Sequence, residues 1–460
     1  MVEIAPPLDT HDIETGVVII GGGACGLVAG LRALEAGAEV IVLERDPRPM
    51  GSTSMSSGFI PAPGTRFQRA IGVEETPQDF ARDIQKKAAM GADPAIVEAV
   101  TREIGPTLEW LADAHGLEWQ VLDDFLYPGH STHRMHAVPE KTGIGLMTRL
   151  MAAAQAAGLT VVTGARADTL HTDGDRITGA SLTRPDGATE SIACRAVVLA
   201  CNGYGGNPGL VSENIPEIAG ALYFGHPGNT GDAVVWGRAL GAATKDLTAY
   251  QGHGSLAHPH GILITWALMM EGGIQVDARG RRFSNEHEGY SEQAVKVLSQ
   301  PGAVAWNIYD ERLHQMGLGF PDYRAAAEAG AIHSGPDAAA LAQATGLTED
   351  ALRQTIGEVT AYRADDAPDP FGRDFSTKPA LEAPFYAVKV TGALFHTQGG
   401  LVIDAAARVL RSDGTALPNL YAGGGAACGV SGARVEGYLS GNGLLTAVAL
   451  GAIAGRSAAA

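Results

Sequence analysis

The stretch Val17–Asp46, VVIIGGGACGLVAGLRALEAGAEVIVLERD, decides the fold. An apolar run, Val17 to Ile20, enters Gly21-x-Gly23-x-x-Gly26. Gly30 and Gly37 follow, and a second apolar run, Val40 to Leu43, ends on Glu44. A GxGxxG alone says little. Set between a strand-like run and a helical one, with an acid about twenty residues on, it reads as a dinucleotide-binding turn. Gly21 lets the chain turn tightly off the strand, Gly23 has no side chain to obstruct a pyrophosphate, and Gly26 lets the helix pack closely on the sheet. The unpaired N–H groups of the helix N-terminus, around Cys25, face the anion. Glu44, with Arg45 beside it, stands where a carboxylate accepts both hydrogen bonds of a ribose diol.

Working outward, 460 residues exceed one compact core and predict two or three domains. Hydrophobic residues make up 45% and charged residues 18%, the balance of an ordinary globular protein. The 61 glycines cluster in short motifs, which fits backbone held against a large cofactor. A net charge of −18 argues against nucleic-acid and anionic-membrane partners, which need basic surface. No apolar stretch reaches the roughly 20 residues of a bilayer span. The N-terminus lacks the basic-then-apolar order of a signal peptide, so a cytoplasmic location is expected. Cys25, Cys194, Cys201 and Cys428 are scattered, with no C-x-x-C or zinc spacing, and read as buried reduced thiols. No metal site is expected.

Along the chain, Met50–Gly58 is a small-residue loop after the second strand. Its Gly51, Ser52, Thr53, Ser57 and Gly58 offer backbone and hydroxyl donors to a ribityl chain and pyrophosphate. Residues 76–115 are helical in pattern, and a strand pair is predicted near 159–163 and 177–183. Ala196–Asn207 is a buried parallel strand running into a glycine turn that holds Ala200, Asn202, Gly203 and Asn207. Thr230-Gly231-Asp232 opens another helix, with Thr230 as its N-cap. Asp277–Gly280 reads as a hairpin turn, and alanine-rich helices fill about 323–363. The end of the chain carries Gly424, Gly425 and Gly441-Asn442-Gly443, then an apolar helix from Leu444. This layout predicts an α/β fold: a Rossmann-like domain built from residues 1–247 and 398–460, interrupted by an α+β cap, residues 248–397.

In this order the motifs resemble those of the fumarate reductase, succinate dehydrogenase and 3-ketosteroid dehydrogenase flavoproteins. The series comprises the fingerprint with Glu44, the Ser-rich loop, VVLACNGYGGN (197–207), TGD (230–232) and GGIQVDARGRRFSNE (272–286). It continues with Ala383–Ala387, His396-Thr-Gln-Gly-Gly400, Asn419–Gly423 and Gly441–Gly443. The resemblance implies a two-domain flavoprotein whose cap closes over FAD. It also implies a small-molecule substrate and an external electron acceptor or donor. The absence of a second GxGxxG fits a single dinucleotide.

The departures carry more information. Relatives that bind FAD covalently place a histidine in the loop after the second strand; Met50–Gly58 has none, so FAD is expected to be non-covalent. Where fumarate reductases carry an acid in their late LYGAGE-like motif, this chain has Gly425. Their proton-donating arginine falls on Tyr290, and its supporting Glu and Arg fall on Trp266 and Met269. Two family histidines remain, His253 and His396, at positions that hold substrate. Ketosteroid dehydrogenases instead use a cap tyrosine as base and a second tyrosine near the terminal glycines to bind the ketone. Tyr290 and Tyr438, the latter in Gly437-Tyr-Leu-Ser440, match those places. Arg434 stands either for the carboxylate-binding arginine of fumarate reductases or for a surface residue. The favoured reading is FAD-dependent desaturation of the Cα–Cβ bond beside a ketone, with a fumarate- or urocanate-type enoate reductase as the alternative. A flavin-binding carrier without its own substrate is the third.

Overall fold

In the computed structural model, which describes residues 2–365 and 367–460, strand Ile13–Ile20 runs into helix Ala24–Glu35 and returns as strand Val40–Leu43. The two strands pair in parallel from Val17↔Val40 to Ile20↔Leu43. On the other side Thr189–Leu199 pairs in parallel with Ile13–Ile20, and its last residues pair with Leu420–Ala422. The ends of these strands, Val17–Ile20, Val40–Leu43 and Ala196–Leu199, are buried on both faces apart from half-buried Ile41, which is why each reads as an apolar run. They finish together at Ile20, Leu43, Leu199 and Ala422, and that carboxyl edge is where open α/β sheets hold ligands.

The C-terminal helix, Asn442–Ala459, packs on helix Ala24–Glu35. Glycines permit the approach: a Cβ at Gly451 would lie 2.5 Å from the Cys25 carbonyl oxygen, and one at Gly455 2.2 Å from that of Ala29. Both chain ends therefore build this layer. The expected pairing of strands near 159–163 and 177–183 is not seen. Thr160–Val162 pairs with Val40–Leu43, while Arg176–Thr183 pairs with Arg166–Asp173. Arg166–Asp173 is exposed at its ends and half-buried at Asp168 and Thr172, and its sequence, RADTLHTD, carries no apolar run.

A second sheet is organised around the long strand Phe385–Thr397. Tyr250–Ala257, Val304–Asp310, Ile332–Gly335 and Leu222–Tyr223 all pair with it. The alanine-rich helices expected over about 323–363 are Pro321–Glu328, Ala338–Thr345 and Glu349–Arg363, with Ile332–Gly335 set between the first two as a strand. Leu222–Tyr223 reaches this sheet from the part of the chain expected to stay with the first. Thr244–Lys245 and Gly400–Leu401 pair antiparallel, so the two chain passages between the sheets run side by side. Thr230 is not an N-cap: Gly231, at φ 83°, precedes helix Asp232–Ala239, and the Thr230 hydroxyl donates to Asp232 Oδ1 at 2.8 Å. Among the described residues no helix is long and apolar enough to cross a membrane.

Candidate active site

A cavity of about 710 Å³ starts at the carboxyl edge of the parallel strands and runs under the second sheet. That size lies in the upper part of the range for small-molecule and cofactor sites, roughly 300–1,000 Å³.

Its outer end is built from backbone. Gly21 has φ +110°, and a Cβ there would lie 2.4 Å from the Ala200 carbonyl oxygen. A Cβ at Gly26 would fall 1.8 Å from the Gly21 carbonyl oxygen, so the helix start closes directly on the turn. Gly23 is different: a Cβ there would meet only Thr53 Oγ1, at 3.7 Å, and the residue faces the cavity. Glu44 holds the turn in shape. Its Oε2 accepts from the Gly22 N–H and its Oε1 from the Asp46 N–H, both at 2.9 Å. Thr53 Oγ1 accepts from the Ala24 N–H at 3.2 Å, which ties helix Gly51–Ser54 to the first helix. Arg45 donates to the Gly228 carbonyl, and His226 lies 2.8 Å from Asp46.

The inner end is aromatic and is assembled from four distant segments. Tyr290 opens helix Tyr290–Leu298, after Gly289 at φ 149°. His253 comes from strand Tyr250–Ala257, His396 from strand Phe385–Thr397, and Tyr438 and Ser440 from the turn before the last helix. The Tyr290 and Tyr438 rings meet edge to face, with centroids 6.2 Å apart. His253 is sandwiched between Tyr290 and Phe395, at 4.8 and 5.1 Å, and Trp266 closes its edge at 5.9 Å.

Burial pushes the Tyr290 phenol up to about 12, against the lowering influence of the Ser440 and Tyr438 hydroxyls. Burial also raises the Tyr438 phenol well above its ordinary value, although the Gly443 and Gly441 N–H groups lie against its oxygen. Burial lowers His253 to about 3 and His396 to about 4, so both are neutral at neutral pH. Their tautomers are set by neighbours. His253 Nδ1 accepts from the Ser255 N–H at 3.1 Å. The Gln398 amide donates to His396 Nδ1 at 2.8 Å, and its own oxygen accepts from Ser431 Oγ at 2.7 Å. The remaining proton of His253 is then on Nε2, whereas His396 Nδ1 also lies 3.3 Å from the Thr397 carbonyl oxygen, a partner for an Nδ1–H.

Most of the sequence-selected residues line this one cavity: Gly21, Gly23, Cys25, Glu44, Arg45, Gly51–Thr53, Ser57, Gly58, Ala200, Asn202, Asp232, Gly424, Gly425, Gly441 and Leu444, with Tyr290, Tyr438, His253, His396 and Ser440. Others lie outside the lining, each for a local reason. Gly26 and Gly203 serve close packing; a Cβ at Gly203 would lie 2.0 Å from Thr397 Oγ1. Asn207 caps helix Pro208–Asn214 and donates to the Thr230 carbonyl. Thr230 is engaged by Asp232 and Asn442 by Ser431. Arg434 is on the surface, its side chain 77% exposed and paired with Glu436 at 3.2 Å. Of its two expected roles, the surface one describes its position.

Sequence reasoning missed Tyr127, Phe395, His226 and the Gln398–Ser431 pair. Tyr127 had a visible signal, the polar and aromatic run Tyr127–His136 with three histidines and an arginine in ten residues. The others carry none, because strand Phe385–Thr397 and the loops around it bring Phe395, His226 and Gln398 to the cavity only in the folded chain.

Fold and cavity define a flavin-dependent oxidoreductase of two layers. The chain belongs to the FAD binding domain family, whose sequence model matches residues 16–444. It is 29% identical over 450 residues to a probable fumarate reductase of Shewanella frigidimarina, covering 97% of this chain and 75% of that protein. The open conformation of a flavocytochrome c3 fumarate reductase superposes with TM-score 0.81 at 27% identity, over 98% of this chain and 78% of the other. A 3-ketosteroid-Δ4-(5α)-dehydrogenase from Rhodococcus jostii RHA1 shares the fold over the full length of both chains, with TM-score 0.80 at 24% identity. The residues present fit FAD. Gly23 leaves open space at a helix N-terminus, Glu44 and the Gly51–Gly58 donors face the same cavity, and the last helix begins at its inner end.

Proposed function

We propose that this flavoprotein desaturates the Cα–Cβ bond beside the carbonyl of a neutral, cyclic ketone of the ketosteroid type. FAD bound here supplies the acceptor for the β-hydride. The observation that carries the reading is the Tyr290–Tyr438 pair beside Ser440 at the inner end, with Arg434 outside on the surface. The cationic side chains lining the cavity are Arg45, Lys141 and Arg166. Arg45 and Arg166 flank the Glu44 end, and Lys141 pairs with Asp124 at 3.9 Å. Among the described residues lining the cavity, no arginine stands beside the tyrosines to meet a substrate carboxylate, whereas Trp266, Phe395 and Tyr127 suit an apolar ring.

In this reading Tyr290 takes the α-proton, a general-base role. Tyr438 donates to the ketone oxygen, where charge develops as the enolate forms. Ser440, in the same turn as Tyr438, lowers the Tyr290 phenol towards ionisation. The neutral His253 stacks on Tyr290 and fixes its ring without adding a competing charge. The histidine-free Met50–Gly58 loop supports non-covalent FAD. The same groups run in reverse for reduction, with Tyr290 as the proton donor.

The test is anaerobic absorbance of the holoenzyme against a cyclic ketone and a matched enoate such as fumarate, with wild type and Tyr290→Phe. The ketone should bleach the flavin band of the wild type, and Tyr290→Phe should lose this while still binding ketone and FAD. Brisk turnover of the enoate, no response to the ketone and tolerance of Tyr290→Phe would establish the reductase instead.

A further inference from the structure

Beneath the turn that carries Tyr438 and Ser440 lies a buried polar cluster outside the cavity. Arg134, fully buried, pairs with Glu75 Oε1 at 2.5 Å and with Asp83 Oδ2 at 2.7 Å. Its Nη1 donates to His130 Nδ1 at 2.7 Å, and His130 Nε2 lies 3.0 Å from the Ser440 carbonyl oxygen. Phe80 stacks on the His130 ring at 6.2 Å and lies under the Arg134 guanidinium at 4.5 Å.

Every role in this chain is forced. A guanidinium only donates, so His130 Nδ1 accepts; a carbonyl only accepts, so Nε2 carries the proton. Burial holds the ring neutral, with its pKa lowered to about 3. Gly441, the next residue, is in the left-handed region at φ +85°, and a Cβ there would lie 2.6 Å from Pro61 Cδ. The turn is therefore confined at Gly441 as well.

We infer that His130 is a positioning residue: its Nε2–H clamps the Ser440 carbonyl and so holds the Tyr438–Gly441 turn, with the Ser440 hydroxyl and the Tyr438 phenol, in register with Tyr290. Arg134 locks the donor tautomer, and Glu75 and Asp83 balance its charge. The inference rests on the proposed function for its kinetic consequence, but the clamp itself is separable from the chemistry. A geometric error of an ångström in such a constellation costs about a hundredfold in rate.

The experiment compares holoenzyme of wild type, His130→Leu and His130→Gln, the last retaining an N–H donor near the Nε2 position. Amide hydrogen exchange of the peptide containing Tyr438–Gly441 reads the clamp without any turnover. His130→Leu should speed that exchange and lower kcat on a cyclic ketone by about tenfold to a hundredfold, with KM and FAD content near wild type. His130→Gln should restore both. The inference is overturned if His130→Leu leaves the exchange unchanged, if kcat falls only in step with lost FAD or a lower melting temperature, or if His130→Gln is no better than His130→Leu. If the exchange responds as expected while Tyr290→Phe keeps full activity, the clamp stands and the proposed function is what fails.

Discussion

The two ends of the cavity are made in opposite ways. The Glu44 end is local and built of backbone: Gly21, Gly23, Gly26 and Glu44 lie within one strand–helix–strand unit, and the Gly22 N–H donates directly to Glu44. The Tyr290 end is non-local and built of side chains: His253, Tyr290, His396 and Tyr438 come from four elements on two layers. A backbone cradle holds a constant group, the pyrophosphate of a dinucleotide, and tolerates little change. A side-chain pocket is free to exchange arginine for tyrosine without altering the fold. Relatives with different substrates can then share one architecture.

Substitutions at the two ends should separate accordingly. Removing the Tyr290 hydroxyl should have the largest effect: Tyr290→Phe should lower kcat on a ketone by about 10²–10⁴-fold, measured by anaerobic stopped flow, with FAD content unchanged. Parallel loss of FAD would place Tyr290 in the cofactor's support and erase the contrast. Tyr438→Phe should slow turnover by about 10²–10³-fold, since one donor to a developing oxyanion is worth about 2.7–4 kcal/mol. Its signature is a fall in kcat and kcat/KM together.

At the other end, Glu44→Ala should weaken FAD by about 1.5–3 kcal/mol, read by fluorescence titration of the apoprotein, with ketone turnover restored at saturating FAD. A defect that excess FAD does not rescue would show that Glu44 also shapes the inner end.

Proton linkage gives a graded test. His130 and His253 are held to about 3, and His136 and His396 to about 4, all by burial. The unfolded chain binds protons at these groups near pH 6.5 while the folded one does not. Stability from this source is therefore complete above about pH 6.5 and is lost as pH falls towards 4. Melting temperatures between about pH 7.5 and 5 should fall on the acid side, and a flat profile would mean the rings are not buried neutral. Activity should climb with pH as well, because the Tyr290 phenol, raised to about 12, ionises above the working range.

The smallest effect is expected at Arg434, which is exposed and paired with Glu436. Arg434→Ala should leave kcat and KM for a ketone within about threefold, as for most surface substitutions. A large rise in KM for a carboxylate-bearing substrate would return Arg434 to the site and favour the enoate reading.

The sequence by itself determined the Glu44 end of the cavity. A strand, a GxGxxG and an acid after the next strand interact over about twenty residues, so their spacing is already their geometry. The resemblance to fumarate reductases also sets Tyr290 against their proton-donating arginine, an expectation that needs no coordinates to state. Tertiary structure decided what position alone leaves open. Thr230 reads as an N-cap from its type, yet Gly231 takes that place because its φ of 83° favours a residue without Cβ. Arg434 and Tyr438 are four residues apart, and only the packed turn sends one to solvent and the other to the core. His130 shows the limit most plainly, since its partner Ser440 is 310 residues away. Such a contact has no periodicity and no motif, because it exists only once distant stretches of chain are folded against each other, and only the folded chain reveals it.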